Sequence, residues 1–364
     1  MPSLFSKITD RLTALITKSA RPFCDDRTFY LWEPCSKSHS EVLPGYARYL
    51  LDLGYSVSVL LTPRHIADGL FSRFSHPRLH LNTLSQGTIR RYFQKNGLGP
   101  AAGILITTSG KLAAPGDYAR QILFFGERSA RQKILLVEHD VQAAYDAGTL
   151  YPEIITLRTP HYQQAQTTPV NPHYFGDIAA HTKNLACQFV TIGALRSKRR
   201  NTSMLVEAVR QLHQQGCTNF RIAVVGKGNI RHIPQELRAY FTIHGRLDFS
   251  RMYSVIEQSD FLLPLLDSDN AAHQRYITTG TSGTFQLAFG FAKPCVIEKT
   301  FSAVNGFTDF NSIIYSGNHA LADAMQAAIQ MPTAGYASLR DTLATDATTL
   351  ADDSAKNLKA LLHE

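Results

Sequence analysis

From Thr28 onward the chain alternates two patterns almost to its end: short unbroken apolar runs, and stretches in which apolar residues recur every three or four positions. The runs read as buried strands and the periodic stretches as helices. In the first half, strands are predicted at Thr28 to Trp32, Ser56 to Leu61, Leu79 to Leu81, Gly103 to Thr107, Lys133 to Glu138 and Glu153 to Leu157. Helices are predicted at Glu41 to Leu53, Arg64 to Phe74, Gln86 to Lys95, Tyr118 to Phe125 and Val141 to Ala147. From Arg158 to Lys183 the pattern lapses into Pro-, His-, Gln- and Thr-rich sequence with Pro160, Pro169 and Pro172, which reads as loop and interdomain connection.

Alternation resumes with a strand at Phe189 to Ile192 and a helix from Thr202 to Gln215, its buried stripe Met204, Leu205, Ala208, Val209 and Leu212, ended by Gly216. Arg221 to Val225 is a strand running into Gly226-Lys227-Gly228. Helices near Pro234 to Tyr240 and from Ser250 to Gln258 follow, and then an apolar strand, Asp260 to Leu263, stopped by Pro264. Tyr276 to Ser282 is a loop of hydroxylated residues and glycines that opens into a short helix. Strands at Cys295 to Ile297 and Ile313 to Tyr315 precede a helical tail from Ala320. Strands and helices in this alternation specify a parallel α/β architecture.

A chain of 364 residues exceeds what one core usually serves, so two domains are expected. The boundaries read as 23–175 and 189–335, with a linker over 176–188. Residues 336–364 are expected to be C-terminal helices, with a return to the first domain left open. The 44% hydrophobic and 18% charged composition is that of a globular protein. No apolar stretch is long enough to span a bilayer, and the first twenty residues lack a signal-peptide pattern. Five cysteines without a C-x-x-C pair fit reduced thiols in a cytosolic protein.

The net charge of +8 implies an acidic partner: nucleotide phosphate, nucleic acid or an anionic lipid surface. Part of the excess lies in residues 1–22. There Leu4, Phe5, Ile8, Leu12, Leu15 and Ile16 follow helical spacing, with Lys7, Arg11, Lys18 and Arg21 between them. Such a helix can lie on the inner face of a membrane or dock on its own domain. A nucleic-acid reader is not expected, because no reading motif is present and the cations are not interleaved with aromatics.

Candidate chemistry falls at strand ends, where open α/β sheets bind ligands. The loop with Ser282, Gly283 and Thr284 presents free backbone N–H groups and a helix N-terminus, which suits phosphate; an ordinary capped loop explains it as well. Arg196, Lys198 and Arg199, with Arg200, follow the strand Phe189 to Ile192 and can neutralise a diphosphate. A solvated basic turn is the alternative. Gly226, Lys227 and Gly228 form a glycine turn compatible with a nucleotide or simply with a tight bend, and Tyr276 is placed with them on the nucleotide side. In the first domain, His39 and Glu41 follow the first strand, and His139 and Asp140 close the strand Lys133 to Glu138. A histidine beside a carboxylate can act as a general base, or it can cap a helix or bond backbone. No H-E-x-x-H spacing argues for a metal.

The ordered segments TIGALRSKRRNTSMLVEAVRQL, FRIAVVGKG, IHGRLDFSRMYSVIEQSDFLLPL and SGTFQLAFGFAKPCVI resemble the C-terminal half of GT-B glycosyltransferases. The likeness is to the retaining group that includes bacterial polysaccharide and lipopolysaccharide enzymes, and ILLVEHD resembles that family's His-Asp strand end. The resemblance covers about Phe189 to Tyr315. It implies two Rossmann-like α/β/α domains facing across a cleft. It also implies a donor diphosphate held by Arg196, Lys198 and Arg199 under Ser282, Gly283 and Thr284, with His139 turned to the transferred sugar or the acceptor. The family's two glutamates, eight apart, are replaced here by Thr279 and Leu287, so their contacts to donor sugar and ribose are not supplied.

The function expected is therefore metal-independent transfer of a sugar from a nucleotide-sugar, a substrate and not a cofactor, to a hydroxyl of a bacterial surface glycan or glycolipid. It is expected in the cytoplasm at the inner face of the membrane. A nucleotide-sugar epimerase on the same fold and a non-catalytic GT-B-like partner subunit are the alternatives.

Overall fold

A computed structural model describes residues 21–35, 39–126, 129, 131–193, 199–227 and 233–363. The basic helix expected within residues 1–22 lies almost wholly outside them, as do Arg196, Lys198 and Gly228. The chain divides into two compact units. One takes its residues from 1–159, 166–176 and 354–364, the other from 160–165 and 177–353.

The first unit is a seven-stranded parallel sheet. Its strands are β1 (Thr28–Trp32), β2 (Ser56–Leu61), β3 (Leu79–Thr83), β4 (Gly103–Ile106), β5 (Lys133–Glu138), β6 (Ile155–Thr156) and β7 (Thr168–Pro169), in the spatial order β3-β2-β1-β4-β5-β6-β7. β1 is central, and all five of its side chains are buried, which is why it reads as an unbroken apolar run. The helix Leu43–Asp52 follows it with Pro44 in its first turn, where the missing N–H costs nothing. Leu43, Tyr46, Ala47 and Leu50 recur at the spacing of one helical face and are fully buried. Tyr49 on the same helix donates its hydroxyl to the Asn171 carbonyl at 2.7 Å, tying down the chain just after β7.

Three expectations need correction here. The helix predicted over Arg64 to Phe74 runs only over Pro63–Ala67, because Gly69 turns the chain at φ 70. β3 extends to Thr83, since its pairing with β2 continues through the polar His80 and Asn82. β7 lies in a stretch expected to be loop: two residues are too short a run to show periodicity, and an edge strand tolerates Pro169.

The second unit contains β8 (Cys187–Ile192), β9 (Phe220–Val225), β10 (Phe241–Gly245) and β11 (Phe261–Leu262) in the order β10-β9-β8-β11. A parallel bridge from Leu262 to Cys295 carries the sheet on toward the pair β12 (Val296–Glu298) and β13 (Ile313–Tyr315). The resulting order, 3-2-1-4-5-6 counted within the unit, is that of a dinucleotide-type doubly wound sheet. The helix Thr202–Gln214 packs on it through Leu205, Val209 and Leu212, all with no exposure; each such side chain contributes about 2 kcal/mol. The segment expected as a helix near Pro234 to Tyr240 is a 3-10 turn, Gln235–Tyr240. The tail forms two helices, Leu321–Gln330 and Thr333–His363, and residues 354–363 of the second belong to the first unit.

One buried charge organises the entry into the second unit. The Asp260 side chain has 0% exposure and accepts from His181 Nε2 at 2.9 Å, from the Asn184 N–H at 2.9 Å and from the Gln188 N–H at 2.7 Å. Burial alone would raise its pKa, but these bonds outweigh burial and hold the carboxyl below its ordinary 3.8. With the folded pKa depressed, the stabilisation is complete above about pH 4 and is lost as pH falls through the lower folded value. Asp260→Asn should therefore cost about 3 kcal/mol at pH 7 and flatten the acid limb of stability. Urea midpoints between pH 3 and pH 7 test this; an acid limb as steep as that of the parent would refute it.

Candidate functional site

In the second unit the switch point of the sheet lies between β8 and β11, where neighbouring connections leave on opposite faces and ligands of such sheets bind. β8 runs into Gly193 (φ +122) and β9 into Gly226 (φ +152), and the two glycines meet. A Cβ on Gly226 would sit 1.7 Å from the Gly193 carbonyl oxygen. Backbone proximity between strand ends thus accounts for Gly226, while the adjacent Lys227 is exposed.

The chain then returns with Arg199 and Arg200. Arg199 is exposed and donates from Nη1 to the Tyr276 hydroxyl at 3.0 Å. Arg200 is 6% exposed. It donates from Nε and Nη2 to the Ile192 carbonyl at 3.2 and 3.0 Å, and from Nη2 to Thr284 Oγ1 at 2.6 Å and Ser282 Oγ at 3.4 Å. Desolvation lowers its pKa, and among the described residues no carboxylate pairs with it. Asn201 fixes the turn, donating its N–H to the Leu265 carbonyl at 2.8 Å and its side-chain amide to Asp267 at 2.7 Å.

The hydroxyl loop leads into the helix Gly283–Gly290, with Ser282 as N-cap accepting from the Thr284 N–H at 3.4 Å. Ser282 and Thr284 are buried with their hydroxyls against Arg200, and Gly283 between them is exposed. The open face of the helix start is therefore backbone at Gly283, with a buried guanidinium behind it. Tyr276 is 4% exposed, with the Arg275 guanidinium 5.6 Å from its ring centroid. Thr279 and Leu287, which stand where the resembled family has glutamates, are both buried, at 4% and 5% exposure. Lys293, of the Lys-Pro step, is 1% exposed, and its Nζ donates to the Glu257 carbonyl at 2.8 Å and to the Ser259 carbonyl. It thereby closes the end of the helix Phe249–Gln258. The segment 160–165 joins this unit by a bond from the His161 N–H to the Thr278 carbonyl at 2.9 Å.

In the first unit the switch point lies between β1 and β4. His139, directly after β5, packs against His39 with ring centroids 4.1 Å apart and the rings tilted by 38°, and its Nε2 lies 2.6 Å from the Thr107 carbonyl. His39 holds a left-handed φ of 68 at the start of the turn Ser40–Val42. Burial raises the pKa of Glu41, a rise that the His139 charge opposes. Asp140 accepts from the Gln142 N–H at 3.3 Å.

Two further carboxyls stand here to which the sequence assigns no role, although Glu138 lies beside His139 in the segment ILLVEHD. Glu33 has no exposure, and Glu138 is 8% exposed. Burial pushes each up to about 7, against the lowering effect of the hydroxyl bonds from Thr107, Thr108 and Ser109. Each directly ends an apolar strand, and that was the only available signal. Among the described residues no group of three or more His, Cys, Asp or Glu side chains is placed to hold a metal ion.

These two sheets define the GT-B fold, an α/β architecture of two Rossmann-like units. The chain is similar to AviGT4, a glycosyltransferase involved in avilamycin A biosynthesis, with a TM-score of 0.56 at 13% identity over 93% of this chain and 98% of that one. It is similar to TarM with a TM-score of 0.51 at 10% identity, over 76% of this chain and 58% of TarM. No protein-family model matches the sequence, and no curated protein does. Among the described residues no helix is long and apolar enough to cross a membrane.

Proposed function

We propose that this protein is a glycosyltransferase that moves a sugar from a nucleotide-sugar to a hydroxyl of a bacterial surface glycan or glycolipid, working at the cytosolic face of the membrane. The observation that carries the reading is the buried Arg200 behind the exposed start of the helix Gly283–Gly290, at the switch point of a doubly wound sheet. A guanidinium that meets no carboxylate among the described residues and an exposed helix N-terminus both favour an anion there, and a departing diphosphate is such an anion. The GT-B fold supports the same reading, as does the net charge of +8 for an anionic surface or acceptor. Arg196, Lys198 and Arg199 would add charge to the diphosphate from the same turn, with Gly226, Lys227, Gly228 and Tyr276 toward the nucleoside. His139 and His39, with Glu41 and Asp140 nearby, would serve the acceptor hydroxyl.

The test is a thermal-shift series with UDP, GDP, ADP, CMP and dTDP and their common sugar conjugates. One nucleotide at a hundred times its Kd should stabilise the protein by about 2.7 kcal/mol, a rise in Tm of several degrees. If none shifts Tm at millimolar concentration, the donor site is not there.

A further inference from the structure

Glu33 stands at the switch point of the first unit, fully buried, and its two carboxyl oxygens are both engaged. Oε2 accepts from the hydroxyls of Thr107 at 2.6 Å and Thr108 at 2.7 Å, and Oε1 accepts from the Cys35 N–H. The strand end itself is fixed by Gln86, which donates to the Glu33 carbonyl at 2.8 Å while accepting from Trp32 Nε1 at 2.9 Å. From the other side, Glu138 on β5 accepts from Ser109 Oγ at 2.5 Å. The turn Thr107-Thr108-Ser109 after β4 is therefore strapped between buried carboxyls on both neighbouring strands. Buried hydroxyl–carboxylate bonds of this kind are short and strong, and they lock the backbone that carries them.

The Thr107 carbonyl, so fixed, lies 2.6 Å from His139 Nε2. A carbonyl can only accept, so in the neutral ring Nε2 carries the proton and Nδ1 carries the lone pair. We propose that Glu33 is a positioning residue, which acts through Thr107 to hold His139 as its Nε2–H tautomer and so makes Nδ1 the proton-accepting nitrogen. This assignment rests on the glycosyltransferase reading for its purpose. There, the acceptor hydroxyl passes its proton to Nδ1 as its oxygen bonds to the sugar carbon, and the sugar–phosphate bond breaks to release the nucleoside diphosphate. Among the described residues His39 lies against the ring, with centroids 4.1 Å apart; Glu41 and His139 interact through their charges; and Glu138 and Asp140 flank His139 in the chain.

The experiment is nitrogen NMR of the full chain labelled with 15N-histidine, with the His139 signals assigned by their loss in His139→Asn. In the parent, Nε2 should be pyrrole-like and Nδ1 pyridine-like above the ring's titration. Glu33→Gln and the near-isosteric Thr107→Val should each admit the other tautomer to at least a tenth of the population and shift the ring's titration midpoint by half a unit or more. Using two variants guards against a fold defect in either, which Tm would reveal. If His139 keeps its parental tautomer and midpoint in both, the proposal is wrong. A failure of the glycosyltransferase reading appears separately, as nucleotides that leave Tm unchanged, and would not alter these spectra.

Discussion

Gly226→Ala should destabilise the second unit by about 3 kcal/mol or more in urea unfolding. Gly216→Ala, also at a left-handed φ (+75) but with nothing within 4 Å of the added Cβ, should cost only about 1 kcal/mol. At Gly226 the new Cβ would fall 1.7 Å from the Gly193 carbonyl oxygen and 2.7 Å from its carbon. Neither backbone can yield easily. Gly193 donates to the Val225 carbonyl at 2.9 Å and Gly226 to the Gly245 carbonyl at 2.8 Å, so parting the two strand ends breaks ladder bonds. Strain at such a position adds a further 1–3 kcal/mol, roughly. Because Gly193 carries the chain into the basic turn, the variant should also lose nucleotide-dependent stabilisation. Equal urea midpoints for the two variants would show that the strand ends are not in contact.

The second large effect is expected at Arg200, and its two readouts should separate. Arg200→Met replaces the guanidinium with an apolar chain of similar length. It leaves the Thr284 and Ser282 hydroxyls and the Ile192 carbonyl without that donor, at a cost of about 1–3 kcal/mol, but it also removes a buried charge for which no carboxylate among the described residues compensates. The protein without nucleotide should therefore remain folded with only a modest fall in Tm. Nucleoside diphosphate affinity should fall a hundredfold or more, about 3 kcal/mol, because the buried cation at the helix start is gone. Isothermal titration of parent and variant decides it. A variant that unfolds outright would assign Arg200 to architecture, and one that binds as tightly as the parent would take it out of the site.

The sheet order follows from features visible in the sequence. Thr28 to Trp32 is apolar without interruption because β1 is covered on both faces, and the periodic stripe of Thr202 to Gln214 faces the core. The basic turn after β8 and the glycine loop were legible as chemistry because cations and glycines have few structural reasons to gather at strand ends. The division of labour between them was not. Arg196, Lys198, Arg199 and Arg200 look alike in sequence, and only the fold shows Arg200 turned inward to Ser282 and Thr284. Glu33 and Glu138 were missed for a related reason. A glutamate at the end of an apolar run reads as the strand reaching solvent, whereas their hydroxyl partners come from the turn after β4, 29 to 75 residues away in sequence. Lys293 stands before a proline with nothing else in the sequence to mark it. Its burial depends on the carbonyls of Glu257 and Ser259, which no local pattern reveals.

The last turns of the helix Thr333–His363 bear on how the protein is made. Ser354 Oγ accepts from the Asn171 N–H at 2.9 Å, and the Asn357 amide donates to the Pro169 carbonyl at 2.8 Å, so the outer edge of the first sheet is finished by residues 183 and 188 positions further along the chain. At roughly 5 to 20 residues per second, the ribosome needs about 10 to 40 seconds to deliver them. During that interval β7 and the segment after it emerge with their sealing partners not yet synthesised. The first unit to be translated is thus the last to be completed.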